Sequence, residues 1–125
     1  MDGRAGAVAP GRGRGRRGAR PGTALNRGAI YDVELPAGPH PVVIVTRETA
    51  IPVLKQVVVA LITSTVRGLP TEVPLGPEHG LARESVVNCD NLFTIPKQAL
   101  GRRRGTLGPA ETARLNEALG LALGL

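Results

Sequence analysis

The chain has 125 residues, a net charge of +6 and an aromatic content of 2%; Tyr31 and Phe93 are the only aromatic residues and Cys89 the only cysteine. One cysteine excludes an internal disulfide, and with only His40 and His79 beside it no structural zinc site of the usual kind can be built. Two aromatics are also too few for the stacking platforms on which many single-strand binders rest successive bases.

The charge is unevenly spread. Residues 1–27 hold seven arginines and one acid, whereas residues 28–125 hold nine bases and nine acids. The basic excess therefore belongs to the leader, and nucleic-acid binding by the rest must rest on local placement of charge. Residues 1–22 are almost wholly Gly, Arg, Ala and Pro, a composition expected to stay disordered. Residues 1–26 are thus read as a basic leader and 27–125 as the folded domain. Gly13, Gly15 and Gly18 spell a dinucleotide fingerprint, but no strand precedes them. The arginines are either a solvated tail or an arm for RNA phosphates. No apolar run approaches the ~20 residues of a spanning helix, and no apolar segment of a secretory signal follows the N-terminus. A cytoplasmic protein without membrane contact is expected.

Ala29–Leu35 alternates as a half-buried strand. Pro36, Gly38, Pro39 and Pro41 predict a turn. Val42–Val45 is continuously apolar, which predicts a strand covered on both faces. Val57–Val66 is the longest β-rich run, followed by a turn at 67–70 and a short strand at Thr71–Leu75. Ser85–Asn88 and Leu92–Ile95 complete the strands, with Arg102-Arg103-Arg104 read as a solvated run beyond them. Pro109 and Glu111 mark a helix start, and Leu115, Ala118, Leu119, Ala122 and Leu123 keep helical spacing. The expectation is α+β, mainly β: a small antiparallel barrel of about five strands with a C-terminal helix.

The segments also follow a familiar order. Arg27-Gly28-x-Ile30-Tyr31, Pro41 to Thr46, Ile62-Thr63-Ser64-Thr65 and Leu69-Pro70-Thr71-Glu72-Val73 resemble successive segments of the MazF/PemK toxins. So do Gly80-Leu81-x-x-Glu84-Ser85-Val86-Val87, Asp90-Asn91-Leu92-x-Thr94-Ile95, and Leu107-Gly108-Pro109-x-Glu111 leading into Leu115 to Leu119. The resemblance implies an SH3-like barrel, usually a homodimer, and a toxin of a type II toxin–antitoxin system. It implies cleavage of single-stranded RNA at short sequences, without metal or other cofactor. In that chemistry the ribose 2′-OH attacks the neighbouring phosphate, leaving a 2′,3′-cyclic phosphate and a 5′-OH. The implied partners are single-stranded RNA and a small MazE-like antitoxin with an acidic tail, through which any DNA contact would run.

The family's Thr at the end of its central strand corresponds to Thr63, a phosphate donor through its hydroxyl or else an ordinary strand threonine. The family's Arg before the Pro-Val-Val strand corresponds to His40. Histidine cannot clamp phosphate as arginine does, but it exchanges protons near neutral pH. The stretch that carries a catalytic Glu in some members has no counterpart. His40 and Thr63 are the catalytic candidates; Arg47, Ser64, Arg67, Asp90 and Asn91 are the RNA-binding candidates. Asp90 and Asn91 correspond to a family Asp-Gln pair suited to unpaired base edges, although both also favour turns. His40 and the missing Glu keep open a non-catalytic binding module on the same barrel, either a degenerate toxin or a CcdB-like poison of a protein target. RNA binding through the arginine-rich leader is a weaker alternative.

Overall fold

The chain is described here from a computed structural model covering residues 25–125; the leader and its glycine triplet, up to residue 24, lie outside the described residues. Six strands, β1 (Ala29–Leu35), β2 (Gly38–Ile44), β3 (Gln56–Thr63), β4 (Glu72–Leu75), β5 (Ser85–Pro96) and β6 (Leu100–Thr106), precede the helix α1 (Pro109–Leu123). They form one sheet in the order β4-β5-β3-β2-β1-β6, antiparallel at every pairing.

The apolar runs are continuous because both faces of the sheet are covered. Ile30, Val43, Ala60, Ile62 and Val87 pack under Leu115 and Ala118 of α1. Tyr31, Val33, Val42, Ile44, Val57 and Val59 fill the opposite face with Ile51. Fully burying such a side chain stabilises the fold by about 1.5–3 kcal/mol, so the sheet centre dominates stability. Leu123, which continues the helical stripe, is not part of this core: it is 57% exposed.

The sheet curls until its two ends meet. After β4 a 3-10 turn at Pro77–His79 leads to Gly80, which lies against β6. A Cβ at Gly80 would strike the Arg104 carbonyl, and one at Gly105 would come within 2.6 Å of the His79 carbonyl oxygen. Only glycine permits that approach. Arg104 Nε donates to the Gly80 carbonyl at 3.0 Å and its Nη1 pairs with Asp32 Oδ1 at 3.0 Å. The closure thus ties β6 both to β1 and to the turn after β4.

Two sequence expectations change. The mainly β fold with a C-terminal helix is as expected, but the strands number six. The additional strand, β6, holds the arginine run, in which Arg104 is paired and Arg103 sits over the Tyr31 ring at 5.9 Å. Pro39 and Pro41 belong to β2, not to a turn. They are tolerated because β3 pairs only with Val42–Ile44, so no partner strand calls on the missing N–H groups on that side.

Candidate active site

The ladder between β2 and β3 ends at the pair Val42–Leu61. Carrying its register two residues further sets His40 across from Thr63. His40 also pairs with Val33 on β1, and Thr63 with Val86 on β5. The candidates thus lie in one row, on one face, where their strands are no longer hydrogen-bonded to each other. That gap between the ends of β2 and β3 is the candidate cleft.

His40 Nε2 is shut from solvent and has no hydrogen-bond partner among the described residues. Nδ1 is the nitrogen left for a substrate. Thr63 Oγ1 accepts from Thr65 N at 3.1 Å and keeps its own proton to donate. Ser64 follows, exposed, at the start of the segment leading to β4.

That segment, residues 64–71, is a crossover. β3 and β4 both run antiparallel to β5, which lies between them, so the chain must pass over β5. The buried Glu72 carboxylate accepts from the backbone N–H of Arg67 at 3.1 Å, Gly68 at 2.9 Å and Leu69 at 3.3 Å. The pairs Glu72–Asn88 and Asn88–Leu61 put Glu72 on the same face as Thr63. The crossover therefore lies on the His40–Thr63 side, opposite α1. Arg67 is exposed there, and its guanidinium has no partner among the described residues.

β5 contributes through a bulge. Ala60 pairs with Leu92 but Leu61 with Asn88, so Cys89, Asp90 and Asn91 are extra residues on the β5 side. Cys89 turns into the core, where burial, with the Asp90 charge second, pushes its thiol up to about 11. Asp90 and Asn91 are exposed. Asp90 N donates to Asn88 Oδ1 at 3.0 Å, and Thr71 Oγ1 donates to Asp90 Oδ2 at 2.6 Å.

The structure thus sets His40, Thr63 and the crossover with Ser64 and Arg67 on one face, and joins the bulge of Asp90 and Asn91 to the end of that crossover through Thr71. It does not bring Arg47 there. Arg47 follows β2 at the end away from His40, about 20 Å along an extended chain. It lines a separate groove of about 730 Å³ with Leu54, Lys55, Leu92, Leu119 and Leu123. Sequence reasoning missed Glu72 and Asn88. The only signal was a carboxylate at the start of an otherwise apolar strand, Glu72-Val73-Pro74-Leu75.

A second polar cluster serves the fold. His79 is buried; its Nδ1 accepts from Gly76 N at 3.2 Å and its Nε2 lies 3.4 Å from Glu111 Oε2. Glu111 Oε1 accepts from Gly108 N at 3.1 Å at the start of α1. Hydrogen bonds to backbone N–H groups, helped by His79, hold the Glu111 carboxyl below its usual range. Among the described residues no three His, Cys, Asp or Glu side chains gather into a metal-holding group, and no helix is long and apolar enough to cross a membrane.

Residues 26–123 match a protein family described as PemK-like, MazF-like toxin of type II toxin–antitoxin system. Endoribonuclease MazF3 of Mycobacterium tuberculosis is 52% identical over 86 residues, 69% of this chain and 84% of that protein. The solved structure of the Mycobacterium tuberculosis toxin MazF-mt6 aligns with a TM-score of 0.72 at 47% identity, covering 78% of this chain and 97% of that one. A mycobacterial endoribonuclease solved in complex with its cognate antitoxin aligns with a TM-score of 0.74 at 37% identity, covering 82% and 97%.

Proposed function

Because the chain belongs to the PemK-like, MazF-like toxins of type II toxin–antitoxin systems, we propose that it is an endoribonuclease whose cleavage centre is the cleft between the ends of β2 and β3. The observation that carries this reading is the register of His40 with Thr63, with one covered, unpartnered nitrogen on His40.

The substrate is single-stranded RNA, and the reaction is attack of a ribose 2′-OH on the adjacent phosphorus. As that bond forms, the bond from phosphorus to the 5′-oxygen breaks. The His40 imidazolium gives its Nδ1 proton to the departing 5′-oxygen as a general acid, while the 2′-OH proton leaves to solvent, from which His40 recovers its own. The Thr63 and Ser64 hydroxyls meet the charge that builds on the phosphoryl oxygens, while the Arg67 guanidinium holds a substrate phosphate equally before and during the reaction. Asp90 and Asn91, carried out of the sheet by the β5 bulge, contact base edges. The products are a 2′,3′-cyclic phosphate and a 5′-OH end. Arg47 does no chemistry in this scheme; its distance suits it only to a phosphate further along the strand. No metal or other cofactor takes part.

Residues 27–125 are the toxin domain, and it works in the cytoplasm as a homodimer. A MazE-like antitoxin with an acidic tail neutralises it, and DNA is met only through that antitoxin.

The test is incubation of the full-length chain with a mixed single-stranded RNA in EDTA, with end-group analysis of the products. Cleavage with cyclic phosphate ends, lost in His40→Ala, is expected. Intact RNA both with EDTA and with added divalent metal would instead make the barrel a binding module.

A further inference from the structure

We infer that Glu72 is a positioning residue for RNA cleavage: its buried carboxylate, holding three consecutive backbone N–H groups, fixes the 64–71 crossover, and with it Arg67, on the face that carries Thr63. The inference rests on the assignment of the cleft as the cleavage centre.

A crossover of eight residues over a strand has no ladder of its own, and its backbone N–H groups need partners. Glu72 supplies them. Oε1 accepts from all three N–H groups, and Oε2 takes a second contact from Arg67 N at 3.3 Å. Gly68 sits at φ +75°, the left-handed turn that lets neighbouring N–H groups converge on one anion. Glu72 N in turn donates to the Leu69 carbonyl at 3.0 Å. The crossover is pinned before this nest by Thr65 N on Thr63 Oγ1 and after it by Cys89 N on the Thr71 carbonyl, both at 3.1 Å.

Two consequences follow for RNA. The carboxylate is spent on backbone dipoles, so it faces the loop and not the substrate phosphates. Arg67, whose own N–H is one of the three, is held at a fixed height over the face that carries Thr63 and His40. A glutamine at this position keeps the volume, but its amide N–H₂ would confront backbone N–H groups and its oxygen carries no charge. The loop then loosens and Arg67 loses its orientation.

The experiment compares wild type, Glu72→Gln, Arg67→Ala and the double variant on one short single-stranded RNA that the wild type cleaves. Glu72→Gln and Arg67→Ala are each expected to raise KM about tenfold, the size of one lost charge-assisted contact, with kcat little changed. Because Glu72 acts through Arg67, the double variant should be no worse than Arg67→Ala. Amide exchange at residues 67–69 should speed up in Glu72→Gln. Additive losses, or a wild-type KM in folded Glu72→Gln, would overturn the inference. If Glu72→Gln fails to fold, Arg67→Ala decides, because an unchanged KM there leaves Glu72 nothing to position. If the wild type cleaves no RNA, the cleavage reading has failed, and the exchange rates then judge the loop lock alone: unchanged rates overturn it.

Discussion

At the scale of single residues, the chemistry turns on which groups can still reach a substrate. His40 is an imidazole with one nitrogen closed off and one available, opposite a hydroxyl. His40→Ala should therefore cost about 10²-fold or more in kcat, the range of a lost acid–base group. His40→Arg keeps a cation but cannot give up its proton, so it should leave activity low and flatten the pH–rate profile between pH 5 and 9. Cleavage by His40→Arg at the wild-type rate would mean that only charge is needed. Thr63→Val removes both a donor and the acceptor for Thr65 N, and should lower the rate about tenfold with about 1 kcal/mol of lost stability. Cleavage rates and urea melts separate the two effects. Cys89 points the other way. Burial holds its thiol protonated well past neutral pH, with a value of about 11, so native protein should resist thiol reagents at pH 8 and react quickly once unfolded. Fast labelling of native protein would show that the β5 bulge opens.

At the scale of elements, the helix start is an acid-sensitive joint. Glu111 bonds the N-terminal backbone of α1 and faces His79, and its folded pKa lies below the unfolded one. For a carboxyl shifted down, the added stability is present above the unfolded value, about 4.3, and is lost as pH falls through the folded value. Glu111→Gln should lower Tm at pH 7 and lose part of the acid-side decline, which thermal melts from pH 3 to 7 would show. The same elements explain what the sequence could tell. β1, the core of β3 and α1 were legible because alternation, apolar continuity and Pro109 act locally. β6 was not, because Arg102-Arg103-Arg104 flanked by glycines carries no apolar period. Its arginines find Asp32, Tyr31 and the Gly80 carbonyl on elements distant in the chain. The bulge at Cys89–Asn91 was hidden for a similar reason: an extra residue shows only against its partner strand. His40 and Thr63 were named from a resemblance, while their shared row comes from pairings across four strands. Glu72 showed as an acid before apolar residues, but its role depends on the crossover folding back over it.

At the scale of the whole molecule, charge is divided between two parts that can be separated experimentally. Residues 28–125 are neutral overall, and all of the +6 lies in residues 1–27. The cut must respect the fold. Leu25 packs on the β1–β2–β3 face, Asn26 Nδ2 donates to Glu48 at 3.3 Å, and Arg27 Nε donates to the Val45 carbonyl at 3.1 Å. Removal of residues 1–24 should therefore leave Tm and the choice of cleavage site as they are, whereas removal of 1–27 should lower Tm. If the leader's arginines meet phosphates, the shorter deletion should also weaken RNA binding at low salt and flatten its salt dependence. Each lost phosphate contact removes about 0.7 from the slope of log K against log salt on single strands. Fluorescence anisotropy of a labelled RNA from 50 to 300 mM salt measures that slope. An unchanged slope would confine RNA contact to the neutral domain, where Arg67 and Arg47 are the candidate cations. A changed cleavage motif would instead mean that the leader takes part in base readout, contrary to a role limited to phosphate.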